Sequence, residues 1–253
     1  MKHNTQKGFT LIELLAAMAI LMAMVAMIGI IFTKSNIVWT IGSNNAENNT
    51  SGRTAINMIA RDLQYAVADS NLTFCFRDDE SDESSYGFTN SEIFCVSFQN
   101  DSSDANRTAC EIYYWVREMT NSQGGLDRYE LVRGCHSITN YYTNNCYWNT
   151  NWYETGPSQN DQGVIAQNVA AFCLLAPDSN GKVFQDYNSQ DTNNNNRLPE
   201  YADVYLEILN KREAKQAAAM PSSNQKEFVE RNAKRFTARI FFHNRYGFGY
   251  KDR

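Results

Sequence analysis

The strongest hydrophobic pattern in the chain is one unbroken run near the amino terminus. From Phe9 to Phe32 the sequence holds 24 residues, of which Thr10 and Glu13 are the clearly polar positions. A helix of that length is about 36 Å long, and the hydrocarbon core of a bilayer is about 30 Å thick. The run is also longer than the ~7–15 apolar residues of an ordinary signal peptide. The pattern therefore predicts a transmembrane helix.

Basic residues at the ends of this run predict its orientation. Lys2 and Lys7 precede it, and Lys34 is the basic residue that follows closely. Because basic flanks are retained in the cytoplasm, we expect the amino terminus inside and the bulk of the chain exported.

Helical periodicity returns after a polar stretch over 42–52, where the helix is expected to loosen or kink. Residues 53–68 repeat apolar side chains at helical spacing, which predicts an amphipathic helix. Its apolar face comprises Ile56, Ile59, Ala60, Leu63 and Val67, and its opposite face Asn57, Arg61, Asp62 and Gln64. We expect the apolar face to pack against a sheet.

The rest of the chain alternates between short β-branched or aromatic runs and turn-rich stretches. This pattern predicts strands over 72–76, 93–98, 110–116, 129–133, 164–175, 198–208 and 236–242. A hairpin turn is expected at Gly124-Gly125. Good helix formers over 210–219, and a capping box of Ser222 with Gln225, predict two short helices near the carboxyl end.

Composition and charge narrow the class of protein. The chain has 253 residues, 43% of them hydrophobic and 20% charged, which is typical of a globular protein and excludes a disordered one. The net charge of −5 argues against a generic nucleic-acid binder, so nucleic acid is not an expected partner.

Glu13 does not suit a plain membrane anchor. A carboxylate deep in hydrocarbon costs roughly 2.5–3.5 kcal/mol or more. Either its side chain reaches the inner interface or it has a cationic partner. The residues around it are Lys7 followed by Gly8-Phe9-Thr10-Leu11-Ile12-Glu13. This segment closely resembles the amino-terminal signature of type IV pilins and type II secretion pseudopilins.

The resemblance implies a role for each matching residue. In that family a prepilin peptidase cuts after the glycine, which here is Gly8, and methylates the new amino-terminal residue, which here is Phe9. The glutamate at the matching position, Glu13, is kept for filament assembly. The expected partners are that peptidase, other pilin or pseudopilin subunits, the inner-membrane assembly platform and the membrane itself.

The resemblance also implies an organisation for the whole chain. We expect a cleaved leader over 1–8, a transmembrane and assembly helix over 9–41, and an exported head over 42–253 that includes the helix 53–68. The fold class is then α+β, with a long amino-terminal helix packed on an antiparallel β-sheet head and extra short helices near the carboxyl terminus. The size and the strand after Leu198-Pro199 resemble large J-type minor pseudopilins and W-type minor pilins. The segment 236–245 is similar to a cassette of verrucomicrobial pilin-like proteins.

Six cysteines lie in the part that is expected to be exported. They are Cys75, Cys95, Cys110, Cys135, Cys146 and Cys173. No pair has the two-residue spacing of a redox or zinc motif, and six cysteines allow fifteen full pairings. Cys135 and Cys146 are closest in sequence and form the candidate disulfide, with free buried thiols as the alternative.

Alternating oxygen side chains mark a candidate calcium loop at Asp186, Asn188, Asp191, Asn193 and Asn195. The glycine and the final glutamate of an EF-hand are missing, so a solvated turn is the alternative and no cofactor is expected otherwise. The sequence contains no nucleophile elbow, phosphate loop or paired metal-binding histidines, so we expect no enzymatic activity.

An aromatic cluster over 141–153 is expected to form a contact surface between subunits or a carbohydrate platform. The predicted function is that of a minor pilin-like subunit that helps to initiate or cap a type IV pilus or type II secretion pseudopilus. One alternative is a filament-tip adhesin or uptake subunit that binds a surface, glycan or DNA. Outside the family, the alternative is a membrane-anchored sensor or enzyme with a single span.

Overall fold

The computed structural model describes residues 10–69, 72–78, 86, 88–97, 109–138, 162–177 and 181–244. The chain divides into two compact units, with the boundary between Ala46 and Glu47. The second unit, Glu47–Arg253, is called the head below.

One helix, α1, runs from Leu11 to Gln64 without interruption. The expectation that it loosens over 42–52 is wrong. Asparagine, serine and glycine each lower helix propensity by about 1 kcal/mol or less, and helix propagation across a few such residues is tolerated. The helix also ends earlier than predicted, because Ala66–Val67 leaves it to form strand β1 beside Val96 and Ser97.

Gly52 allows α1 to approach the head closely. The residue is buried, and a Cβ atom built on it would overlap the ring of Phe236. Only glycine leaves room for this aromatic ring against the helix backbone. Gly52, at the end of the polar stretch 42–52, therefore allows α1 to pack closely against Phe236 within the head.

The larger sheet contains a long hairpin and the strands beside it. Besides β1, its strands are β2 (Cys75–Asp78), β3 (Ser91–Ser97), β4 (Ala109–Thr120), β5 (Leu126–Ile138), β6 (Gln162–Gln167) and β9 (Tyr187–Asn188). Within the described residues these strands run in the order β6-β5-β4-β3-β2-β9, and β1 also pairs with β3. Every pairing is antiparallel. The turn between β4 and β5 contains Gly124 at a positive φ, as the hairpin prediction requires.

The smaller sheet consists of β7 (Val169–Pro177), β8 (Val183–Phe184), β10 (Tyr201–Ile208) and β11 (Lys234–Phe241). Its strands run in the order β11-β10-β7-β8, and every pairing is again antiparallel. The predicted single strand over 164–175 is in fact two strands, β6 and β7, because Asn168 between them adopts a positive φ of 58°. One continuous apolar run therefore supplies a strand to each sheet.

Two short helices connect β10 to β11. They are α2 (Lys211–Ala218) and α3 (Ser222–Asn232). The predicted capping box at Ser222 is wrong: Pro221 precedes α3 with no side-chain cap, and the Gln225 amide donates to the carbonyls of Ala217 and Met220. The capping box lies instead on α2, where Asn210 and Glu213 bond each other's backbone.

The main apolar core of the described residues lies between α1 and the two sheets. Its α1 members are Ala55, Ile56, Ile59 and Leu63, and it continues through both sheets. Tyr86, Tyr114, Phe74, Phe76 and Phe172 are its largest fully buried side chains. The predicted α+β class, with a long amino-terminal helix, an antiparallel head and short helices near the carboxyl end, is confirmed.

Candidate functional site

The first part of α1 buries nothing within the chain. Every described side chain from 10 to 43 is exposed, and Leu11 and Trp39 are 80% and 79% exposed. Among the described residues, α1 is the one helix long and apolar enough to cross a membrane. So much apolar surface requires lipid or other helices around it.

Two threonine hydroxyl groups within this part of α1 bond to their own helix. Thr33 Oγ1 donates to the Gly29 carbonyl at 2.9 Å, and Thr40 Oγ1 donates to the Asn36 carbonyl at 2.8 Å. Each bond returns to the preceding helical turn, so neither hydroxyl needs a partner outside the helix. These polar residues are thus compatible with an apolar environment.

Glu13 lies in the first turn of α1 and forms a capping box with Thr10. The Thr10 backbone N–H and its hydroxyl both donate to Glu13 Oε2 at 2.9 Å, and the Glu13 N–H donates to Thr10 Oγ1 at 3.4 Å. The carboxylate is therefore held at the positive end of the helix. Its other oxygen, Oε1, makes no hydrogen bond to the described part of the chain. One carboxylate oxygen of Glu13 thus caps its own helix and the second remains accessible.

The predicted peptidase site lies next to this capping box in sequence. Gly8 and Phe9 are outside the described residues, and Thr10 is the first residue that the structure describes. The cleavage and methylation roles of Gly8 and Phe9 stay predictions.

A buried polar cluster that the sequence did not indicate connects α1 to the larger sheet. Asp62 is fully buried, although the helical wheel placed it on the polar face. Its Oδ2 accepts from the Tyr114 hydroxyl at 2.5 Å and from Arg133 Nε at 2.6 Å. Asp62 is seven residues, or two helical turns, after Ala55, so its position in the helix does predict that it lies on the buried face. Its charge favoured the opposite, polar face.

The pKa values of Tyr114 and Arg133 are both raised, so both side chains keep the protons that they donate to Asp62. Burial, and then the Asp62 carboxylate, raise the pKa of Tyr114 well above its ordinary value, so the phenol keeps its proton. Burial opposes the charge of Arg133, but Tyr114 and Asp62 outweigh it and raise the pKa of the guanidinium. The result is a neutral phenol and an ion pair, which hold α1 against β4 and β5.

The described cysteines are unbridged and lie in three places. Cys95, Cys110 and Cys135 line the core. Cys75 packs in a separate cluster on the other side of the sheet, and Cys173 Sγ accepts from Gln185 Nε2 at 3.9 Å. Cys146 is outside the described residues, so the pairing of Cys135 with Cys146 stays a prediction.

The candidate calcium residues are placed around one open cleft, except for Asn195. Asp186, Asn188, Asp191 and Asn193 line it, together with Arg77. Their oxygen atoms are partly used within the turn: Asp186 Oδ1 accepts from the Asp78 N–H, and Asn188 Oδ1 from the Gln190 N–H. No group of three or more histidine, cysteine or acidic side chains in the described ranges could hold a metal. The calcium hypothesis stays a prediction.

Glu111 is a second buried carboxylate that the sequence did not indicate. It lies on β4, 4% exposed, opposite Val96 of β3 and His136 of β5 in the strand register. Burial raises the pKa of Glu111 from an ordinary value of 4.5 to about 7. The folded head therefore favours the protonated acid across the weakly acidic range.

Glu111 predicts a pH-dependent stability of the head. Unfolded, its carboxyl ionises near pH 4.5, whereas folded it keeps its proton to about pH 7. The free energy of unfolding should therefore fall as pH rises from about 4.5 to 7, by up to roughly 3 kcal/mol. Urea unfolding of the full chain in mild detergent at several pH values measures this, and Glu111→Gln should remove most of the slope. An unchanged slope in the variant contradicts the assignment.

The predicted aromatic contact surface over 141–153 lies outside the described residues. The described part of the head presents aromatic groups on its smaller sheet. Arg239 stacks over the Tyr201 ring at 4.2 Å and binds Asp203 through two hydrogen bonds, beside Phe241, which is 61% exposed.

Comparison with known proteins identifies one segment. Residues 3–29 match the family model described as the prokaryotic N-terminal methylation motif. No curated protein and no solved structure matches the chain. The matched segment contains Gly8, Phe9, Glu13 and the start of α1, whose exposed apolar surface is typical of a single membrane anchor. The match supports a type IV pilin-like precursor, a structural subunit and substrate of the prepilin peptidase.

Proposed function

We propose that this chain is a minor pilin-like subunit, or pseudopilin, of a type IV pilus or type II secretion pseudopilus. The observation that carries the proposal is the methylation motif on a helix whose first 33 described positions, 11–43, are all exposed. A filament of packed helices would cover that apolar surface after the subunit leaves the bilayer.

Processing is the first step of the proposed function. The peptidase cuts between Gly8 and Phe9, which removes Lys2 and Lys7 and leaves an ammonium group on Phe9. The same enzyme then methylates that nitrogen. In the sequence, the new charge lies two residues before the first residue of α1 and four residues before Glu13.

Assembly follows from the cost of isolated charges in hydrocarbon. The accessible oxygen of Glu13 on one subunit neutralises the Phe9 ammonium of a neighbour, and the pair is far less costly than either ion alone. The hydrogen bonds from Thr10 hold the carboxylate near the helix end, where the neighbouring ammonium arrives. The inner-membrane assembly platform supplies subunits in this orientation.

Orientation and size suggest the place of the subunit. The basic residues before α1 favour a cytoplasmic amino terminus and an exported, periplasmic head. The head adds two helices, α2 and α3, between its last two strands. A bulky head of this kind is accommodated more easily once at a tip than in every layer of a filament. We therefore place the subunit with the J-type and W-type minor members, at initiation or at the tip.

Processing provides the direct test. Gly8→Ala is expected to make the uncleaved precursor the main species when the chain is coexpressed with a prepilin peptidase, because the enzyme accepts glycine before the cut. Intact-protein mass spectrometry measures the retained residues 1–8 and the methyl group on Phe9. Gly29→Ala is the matched control, since a Cβ there meets no atom within 4 Å.

Two outcomes would argue against a pilin-like precursor. One is a wild-type chain that keeps residues 1–8 in the presence of an active peptidase. The other is a Gly8→Ala variant that is processed as fast as Gly29→Ala. Either result would favour an ordinary anchor, as in a sensor with a single span.

A further inference from the structure

Three thiols gather on the core side of the larger sheet. In the strand register Cys95 of β3 lies opposite Ile112 of β4, and Ile112 lies opposite Cys135 of β5. Cys110 is two residues before Ile112 and so lies on the same face. Because β3 and β5 flank β4, the three cysteines surround the Ile112 side chain.

The strand register also makes two of these cysteines neighbours. The largest cause that raises the pKa of the Cys135 thiol is a side-chain hydrogen bond with Cys110. They are diagonal neighbours: Cys110 faces Ser137 and Cys135 faces Ile112 across two paired strands whose register is regular from Ala109 to Met119. Diagonal neighbours on one face lie about 7–8 Å apart at Cα, just beyond the usual range for a disulfide, so a bridge requires β4 and β5 to move slightly closer together.

Exposure separates Cys135 from the other two cysteines. Cys95 is fully buried, and Ile112 lies between it and Cys135 in the register. Cys135 is half-buried and so is accessible to an oxidant, whereas its diagonal neighbour Cys110 is buried. An incoming disulfide can therefore reach Cys135 first, and Cys110 is in place to resolve the product.

We propose that Cys110 and Cys135 form an intramolecular disulfide that joins β4 to β5 when the chain meets a disulfide oxidant. The Cys135 thiolate attacks the oxidant and releases one thiol. The Cys110 thiolate then attacks Cys135 Sγ and releases the second. Two protons leave the cysteines and two electrons reduce the oxidant's disulfide to two thiols. This pairing excludes the sequence-based pairing of Cys135 with Cys146, and it holds whether or not the chain enters a filament.

The pH dependence of the reaction follows from the contact. The hydrogen bond with Cys110, and then burial, raise the pKa of the Cys135 thiol above its ordinary value of 9.0. The reactive thiolate is therefore scarce at neutral pH, and the rate of oxidation should rise about tenfold for each pH unit.

Peptide mapping of the full chain tests the pairing. The reduced protein in mild detergent is equilibrated with oxidised and reduced glutathione, alkylated, and digested with trypsin and chymotrypsin. Cleavage at Arg107 and Arg117 isolates Cys110, and cleavage at Tyr141 and Tyr142 separates Cys135 from Cys146. We expect a linked pair of peptides that carry Cys110 and Cys135, and an unfolding midpoint roughly 5–10 °C higher than in the reduced chain.

Single variants complete the test. Cys146→Ser should leave the linked pair unchanged, and Cys135→Ser should remove it. Because the wild-type chain is mapped directly, a variant that folds poorly does not affect the result. A Cys135–Cys146 link, a link from Cys110 to Cys95, or full alkylation of Cys110 and Cys135 after equilibration would overturn the proposal.

Discussion

Replacing Asp62 with alanine is expected to lower the free energy of unfolding of the head by about 3–5 kcal/mol. Asp62 is fully buried and is bound by both Arg133 and Tyr114. The Arg133 side chain is 12% exposed, so removal of the carboxylate leaves a guanidinium charge in the core without its closest counter-ion. Urea unfolding of the full chain in mild detergent, followed by near-ultraviolet circular dichroism, measures the loss.

The chain offers a matched control for this prediction. Asp203 and Arg239 form a two-bond ion pair on the smaller sheet, but their side chains are 19% and 54% exposed. Asp203→Ala should therefore cost about 1 kcal/mol or less. Replacement of both buried partners, Asp62→Leu with Arg133→Met, should recover most of the stability. The assignment fails if Asp62→Ala is no more destabilising than Asp203→Ala.

Much of the head could be predicted because its longer strands are rich in β-branched and aromatic residues. These apolar runs located β3, β4, β5, β10 and β11, but they placed the ends of β4 and β5 too early. The strands extend further because charged residues also pair across them. Arg117 on β4 binds Glu130 on β5, so the pairing of the two strands continues beyond the apolar run. A cross-strand ion pair has no signature in local sequence. The positive φ of Asn168, which separates β6 from β7, has none either.

The residues of the candidate site also differ in whether the local sequence predicts them. The motif from Gly8 to Glu13 could be identified because its residues are contiguous, and the Thr10–Glu13 capping box depends on the same local spacing. Asp62 could not, because Tyr114 and Arg133 are 52 and 71 residues away in sequence. A buried carboxylate is predictable only when its partners are known. The motif that includes the first turn of α1 is therefore local in sequence, whereas the contacts that hold Asp62 of α1 against β4 and β5 are not.

Glu13→Gln is expected to reduce incorporation into a filament roughly 100-fold, because an unpaired charge in hydrocarbon costs about 2.5–3.5 kcal/mol. The glutamine amide oxygen can still accept from Thr10, so the helix cap is kept while the negative charge is lost. Insertion into the membrane and removal of residues 1–8 should continue. The measurement is the fraction of processed subunit that co-purifies with sheared or detergent-extracted filaments.

Two further variants separate charge neutralisation from helix capping. Thr10→Val removes the hydroxyl that bonds Glu13 but keeps the carboxylate, so it should reduce incorporation only severalfold. Glu47→Gln removes an exposed acid of α1 outside the apolar run and should have no effect. If Thr10→Val were as damaging as Glu13→Gln, Glu13 would act as a helix cap and the pairing with a neighbouring Phe9 would be wrong. A loss confined to Glu13→Gln would instead assign assembly to the charge, because the cap persists in that variant.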